Sequence, residues 1–139
     1  MFDIGNDHDY FNANGDDNLN NLRVLEKVVR KSYLPTNALL LELLKRYPQF
    51  RASFSFSGIL LEQFERYFPQ ALRSFQALVH TGRVEVLSET YYHSLSFLHS
   101  KPEFKRQVRL HGEKIQTLFH QKPRVFRNTE LIYNNELAK

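Results

Sequence analysis

The chain has no cysteine and no tryptophan among its 139 residues. Without cysteine, disulfides, thiolate catalysis and cysteine-based zinc sites are excluded. The absence fits a reducing compartment, so a cytoplasmic location is expected. Glycine and proline are scarce, at five each. The glycines form neither G-x-G-x-x-G nor G-x-x-x-x-G-K, so no phosphate-cradling loop is signalled. No apolar run approaches the roughly 18 residues that a membrane span needs, so no membrane partner is expected. The opening Met1–Asp7 has neither the basic nor the apolar region of a signal peptide. Residues 1–17 also lack Lys and Arg, while holding Asp3, Asp7, Asp9, Asp16 and Asp17.

What is present suits one folded domain spanning residues 1–139. Hydrophobic residues make up 42% and aromatic residues 14%, with 12 Phe and 7 Tyr, enough to build one core. The net charge is +4, and all 19 basic residues lie beyond residue 17. They are spread along the chain without interleaved aromatics, as on solvated helix faces, so nucleic acid is not an expected partner. The densest group is Lys101, Lys105, Arg106 and Arg109, at helical spacing.

Periodicity divides the chain into alternating elements. Leu22, Leu25, Val28 and Val29 mark a helix over about 19–32. Pro35 interrupts it and opens a second helix through Tyr47, which Pro48 ends. In "FRASFSFSG", residues 50–58, Phe50, Ala52, Phe54 and Phe56 face one way and Arg51, Ser53, Ser55 and Ser57 the other, the period of a strand. A helical stretch covers about 59–80, with Pro69 starting its second segment and Gly82 breaking it. "RVEVLSE", residues 83–89, is a second strand, 89–100 a loop, and 102–120 a helix striped by Phe104, Val108, His111, Ile115 and Leu118. "RVF", residues 124–126, is a third strand. Strands alternating with helices imply an α/β fold with about three parallel strands and flanking helices. In a doubly wound sheet both strand faces are apolar. Here one face is rich in Phe and the other in Ser, which favours a partial (β/α) barrel with helices outside and polar groups inside.

Strand parity selects the residues that could carry chemistry. Val84 and Val86 take the helix side, so Glu85 points inward, with Leu87 and Glu89 on the same parity. Glu130 lies just past the third strand, where barrel enzymes keep nucleophiles and acid–base groups. On position alone it reads more readily as a loop or helix-start carboxylate. Glu85 could instead partner Arg51 or Arg127. Glu89 and His93 flank "TYYHS", a loop that either stacks on a sugar and reads its hydroxyls or is simply anchored by Tyr packing. Asp7, His8 and Asp9 could be half a metal site, but no second cluster completes it, so neither metal nor cofactor is expected. His111 reads as a core or boundary histidine. "SFSFSG" is not a nucleophile elbow, so no Ser-His-Asp arrangement is signalled.

The segment "RVFRNTELIY", residues 124–133, resembles the nucleophile segment of glycoside hydrolase family 57, the α-amylase and 4-α-glucanotransferase family. "TGRVEVLSETYYHSL" is similar to its second conserved segment, "KSYLPTNALLLELLKRYPQFRASFSFSGILLEQFERY" to its first helices and second strand, and "FDIGNDHDYF" to the loop after its first strand. The likeness runs over nearly all of residues 2–136 and is greatest to the α-amylase-like branch. It implies an incomplete seven-stranded (β/α) barrel and a retaining enzyme that acts on α-1,4-glucans or maltooligosaccharides without a metal in its chemistry. By resemblance Glu130 is the catalytic nucleophile and Glu85 an inward carboxylate contacting sugar. Arg127 stands where some relatives place a tryptophan, so it is an expected subsite contact, and His93 an expected hydroxyl contact. The family's first-strand His-Gln-Pro motif and its acid–base Asp lie outside the span of the likeness. The expectation is therefore a fragment of the catalytic barrel, inactive alone and prone to self-association through unpaired strand edges. The alternative is a noncatalytic remnant or half-barrel that binds glucan or a partner chain.

Overall fold

The computed structural model describes residues 21–137. The described chain is an α/β fold: a small, open, two-stranded parallel sheet flanked by helices. Helices α1 (Asn21–Val28) and α2 (Leu34–Arg46) are joined by a π-helical turn, Val29–Tyr33. The break expected at Pro35 is thus a widened turn within continuous helical chain. Proline lacks an N–H, and its ring crowds the preceding turn; widening that turn is one way to continue past it. The widened turn carries Tyr33, whose ring packs edge-on to Phe64 at 5.7 Å and Phe75 at 5.6 Å.

Strand β1 (Ala52–Phe54) leads into α3 (Gly58–Tyr67), capped by the Ser57 hydroxyl accepting from Leu60 N–H. Pro69 opens α4 (Pro69–His80), and Gly82, at φ 71°, supplies the left-handed turn into β2 (Val84–Val86). Helix α5 (Lys101–Phe119) begins at Ser100, whose hydroxyl accepts from Glu103 N–H. The strand pairing is parallel, with Ala52 opposite Val84, Ser53 opposite Glu85 and Phe54 opposite Val86.

The alternation read from the sequence sorts the two sheet faces. Val84, Val86 and Phe56 are buried in the main core, with Ala52 and Phe54 packed against it. Phe75 is its aromatic centre, 4.8 Å from Phe56 and 5.2 Å from Phe54, both edge-on. Ser53 and Glu85 occupy the other face, which has no helix cover among the described residues.

The third strand is shorter than expected. It is reduced to one parallel bridge, Ser88 to Phe126, with Ser88 N–H donating to Val125 O and Arg127 N–H donating to Ser88 O, both at 2.8 Å. Gln121 fills the edge of β2 before that bridge. Its side-chain oxygen accepts from Val86 N–H at 2.7 Å and its amide donates to Val84 O at 3.1 Å. A side chain thus satisfies two backbone groups on this edge of β2 that fall, in the same register, opposite Pro123, which has no N–H to give Val84 O. On its other side β1 has no strand neighbour among the described residues. No described helix is long and apolar enough to cross a membrane.

Candidate functional site

The site grows from two loops at the carboxyl ends of β2 and the 126 bridge. The first, residues 89–94, is held from below by α5. His111 Nε2–H donates to Phe56 O at 2.7 Å, and its Nδ1 accepts from Glu89 N–H at 3.4 Å. Only the neutral ring can do both, because Nδ1 must keep its lone pair. Burial, opposed by the Phe56 carbonyl and the Glu89 charge, pushes the His111 pKa below its ordinary value. One turn away, buried Gln107 accepts from Tyr92 N–H at 3.4 Å and from the Ser94 hydroxyl at 2.8 Å. The buried stripe of α5 is therefore Gln107, His111, Ile115 and Phe119, an i, i+4 series that includes two polar anchors. The stripe read from the sequence shares His111 and Ile115 with it, while its Phe104, Val108 and Leu118 are half-buried.

Tyr91 fixes the same loop from the α3 side. Its ring covers Gly58, its carbonyl accepts from Gly58 N–H at 2.7 Å, and its hydroxyl donates to Glu62. Burial and the Glu62 carboxylate push its pKa up. Tyr packing thus anchors "TYYHS", while Tyr92 stays exposed beside His93.

The second loop, Asn128–Ile132, is clipped to the first by two buried hydroxyls, Thr90 and Thr129, 2.9 Å apart. Thr90 also accepts from Ser94 N–H at 2.9 Å and lies 3.2 Å from Ser94 O. The Asn128 amide closes its own loop on Ile132 O at 2.8 Å. Glu130 and Leu131, at φ 54° and 58°, take the left-handed backbone that glycine normally supplies, and His93, at φ 52°, does so in the first loop.

These constraints bring three of the expected residues together. His93 Nε2 stands 3.2 Å from Glu130 Oε1, and His93 Nδ1 stands 3.5 Å from Glu89 Oε1. Glu89 is 3% exposed and its other oxygen accepts from the Ser55 hydroxyl, whereas the Glu130 side chain is 69% exposed. Their carboxylates meet opposite ring nitrogens of one imidazole, so they do not converge on one point. Among the described residues no group of three or more His, Asp or Glu has the arrangement to hold a metal, and Asp7, His8 and Asp9 lie outside those residues.

Glu85 is placed elsewhere. It lies on the open sheet face in a cleft of about 730 Å³ lined also by Arg51, Ser53, Arg83, Lys122 and Arg124. No ion pair closes on it among the described residues. Arg127 is half-buried and set by its backbone bond to Ser88. Sequence reasoning missed Ser55, Thr90, Gln107 and Thr129. Ser55 and Gln107 had a signal: a polar side chain at a strand end, and a polar residue at i−4 from a buried His.

The basic cluster on α5 is largely paired. Arg106 bonds Glu103 at 2.6 Å and 2.7 Å, Lys101 meets Glu136 at 2.6 Å, and Arg109 lies 3.9 Å from Glu113.

Known proteins resemble this chain in sequence and fold. A Methanocaldococcus jannaschii protein named "Putative alpha-amylase" is 43% identical over 120 residues, which is 86% of this chain and 26% of that protein. A Pyrococcus abyssi "Alpha-amylase" is 28% identical over 116 residues, 84% of this chain and 17% of that one. The chain thus spans about a quarter or less of these curated relatives. The crystal structure of a 4-alpha-glucanotransferase from Thermococcus litoralis superposes with a TM-score of 0.69 at 24% identity, over 82% of this chain and 17% of that one, a likeness of fold. Residues 8–139 match glycosyl hydrolase family 57, and the chain belongs to that family.

Proposed function

We propose that this chain is part of the catalytic barrel of a retaining, α-glucan-acting hydrolase or glucanotransferase, with Glu130 as its nucleophile. The observation that carries the reading is the Glu130 carboxylate itself. It is solvent-accessible, at the carboxyl end of the parallel pairing, on strained left-handed backbone, and touched by an imidazole. Strain of this kind clusters at functional sites. The two-stranded sheet and the 126 bridge would be consecutive strands of a larger (β/α) barrel, with β1 awaiting a neighbour. Glu85 on the open face would contact sugar inside that barrel, and Arg127 would border a subsite.

In the reaction, a Glu130 oxygen bonds to the anomeric carbon as the glycosidic C–O bond breaks, leaving a glycosyl ester that water or a sugar hydroxyl then opens. A sugar leaving group needs a proton from a second carboxyl group. Such general acid–base help is worth about 10²–10⁴-fold, and no residue of this chain is assigned that role. The exposed Tyr92 ring beside His93 favours a second reading, glucan binding without turnover.

An activated substrate separates the two. In 5-fluoro-α-glucosyl fluoride or its maltosyl analogue, fluoride leaves with its bonding pair and needs no proton. Mass spectrometry of the digested protein should find one glycosyl adduct, on the peptide containing Glu130, and none in Glu130→Gln. An adduct on another carboxylate, or equal labelling of Glu130→Gln, would overturn the assignment. Saturable maltooligosaccharide binding without any adduct would favour the second reading.

A further inference from the structure

Glu89 has no route to a substrate. It is 3% exposed, with one oxygen on the Ser55 hydroxyl and the other, Oε1, buried without a hydrogen bond. A buried carboxylate oxygen left without a donor is costly. The ring nitrogen facing it is His93 Nδ1, 3.5 Å away, and that ring's other nitrogen contacts Glu130.

We propose that His93, held from behind by the buried Glu89, is a positioning residue that fixes the Glu130 carboxylate for attack. This rests on Glu130 being the nucleophile. Glu130 has a long side chain, largely in solvent, on a loop whose backbone alone does not aim it. The His93 contact occupies Oε1 and leaves Oε2 as the free oxygen. His93 needs aiming in turn. Its backbone is fixed at φ 52° by the Thr90–Ser94 turn, where His93 N–H also donates to Thr90 O at 3.0 Å. With an N–H on each nitrogen, its ring donates to Glu130 and faces Glu89 across 3.5 Å, and Glu89 is itself immobilised by the Ser55 hydroxyl and the backbone bond to His111. The Thr90–Thr129 contact keeps the two loops in register. Ser55 just after β1, Glu89 and His93 after β2, and Glu130 after the 126 bridge thus form one line across three strand ends. The path carries no group transfer. It holds an angle.

The arrangement differs from direct sugar recognition by His93 because it makes a buried residue matter to rate. In glycosyl fluoride labelling, Glu89→Gln and His93→Ala should each lower the maximal rate by about 10-fold, with half-saturating concentrations unchanged. His93→Gln, which keeps an N–H donor, should recover part of the loss. Glu89→Gln added to His93→Ala should cost nothing more, since the two act through one ring. A change confined to half-saturation in His93→Ala, with Glu89→Gln at wild-type rate, would overturn the proposal in favour of sugar contact.

A second readout needs no turnover. The imidazole nitrogen resonances of His93 in the wild-type chain should shift in both Glu89→Gln and Glu130→Gln, while those of His80 stay fixed. His93 nitrogens indifferent to both variants would overturn the proposal, whether or not Glu130 is labelled. An unlabelled wild-type chain with both shifts present would count against the nucleophile assignment alone. Thermal unfolding of Glu89→Gln guards against a collapsed loop; if it fails to fold, His93→Gln and Glu130→Gln carry the test.

Discussion

His93 Nε2 and Glu130 Oε1 meet at 3.2 Å although the residues are 37 apart in sequence, and both hold left-handed backbone, at φ 52° and 54°. Each such residue costs on the order of 1–3 kcal/mol unless its surroundings impose it. The surroundings here are specific: α5 anchors one loop, Tyr91 pins it to α3, and a threonine pair joins the two loops. These supports can be tested separately from the chemistry.

Gly58 is the first. An added Cβ would sit 2.5 Å from Tyr91 Cγ and Cδ1, and 2.6 Å from Cδ2. That distance is inside van der Waals contact, and a ring cannot yield as a flexible chain end can. Gly58→Ala should therefore displace Tyr91 and destabilise the fold by about 1–3 kcal/mol, read as a lowered denaturation midpoint. Gly112→Ala is the internal control. Nothing lies within 4 Å of its added Cβ, inside α5. It should stabilise by about 0.5–1 kcal/mol by reducing backbone freedom in the unfolded chain. Equal effects of the two variants would refute the packing argument.

The threonine pair is the second. Thr90→Val removes the hydroxyl that Ser94 N–H donates to and that meets Thr129. It leaves a loop N–H without its acceptor, so a loss of about 1–3 kcal/mol is expected. Thr129→Val removes one shared contact and should cost less. In the double variant the losses should fall short of their sum, because both singles break the same Thr90–Thr129 bond. Strict additivity in denaturant unfolding would mean the two hydroxyls do not interact.

How legible this was in the sequence depended on the range of the interaction. The Phe50–Phe56 alternation is local, and it correctly placed Phe54 and Phe56 in the core and Ser53 outside. Val84 and Val86 likewise read as the helix side and lie in the core, and Glu85 is on the opposite face. Pro69 and the start near Pro102 marked helix entries that the structure keeps. The shortened third strand was not legible, because the partner of Val86 N–H is a side chain 35 residues further on, a tertiary contact. Nor was the π turn before Pro35, since Tyr33 packs there on residues from α3 and α4. His111 read as a core or boundary histidine and is buried, but its second duty toward Glu89 is a tertiary fact. Glu89, His93 and Glu130 were each singled out by position; that one ring touches both carboxylates had no sequence signal.

His111 makes the fold sensitive to acid. Its burial holds the folded pKa below the ordinary 6.5. The unfolded chain therefore binds more protons than the folded one as the pH drops below that value. The stabilising contribution is complete above the unfolded pKa and is lost as pH falls through about 6.5 toward the folded pKa. Unfolding midpoints should fall between about pH 7 and about pH 5, above the range where ordinary carboxylates titrate. His111→Gln should be less stable at neutral pH, by about 1–3 kcal/mol for disturbed buried hydrogen bonds. Its pH dependence should be flatter over that interval. Parallel slopes for variant and wild type would assign the acid sensitivity to other groups.

Gln121 is where folding and association meet. Its amide occupies both the Val86 N–H and the Val84 carbonyl, backbone groups that would otherwise face open water beside the 730 Å³ cleft. An unpaired strand edge is a template for another strand. Gln121→Ala should thus lower stability by about 1–2 kcal/mol, one or two hydrogen bonds that water only partly replaces. It should also raise concentration-dependent association. Gln121→Glu should fall between: its carboxylate can accept from Val86 N–H but cannot donate to Val84 O, and its charge resists strand docking. Sedimentation velocity across a concentration series would rank the three. If the alanine variant associates no more than wild type, residues 122–125 already shield this edge, and any self-association of the chain would have to run through the open side of β1.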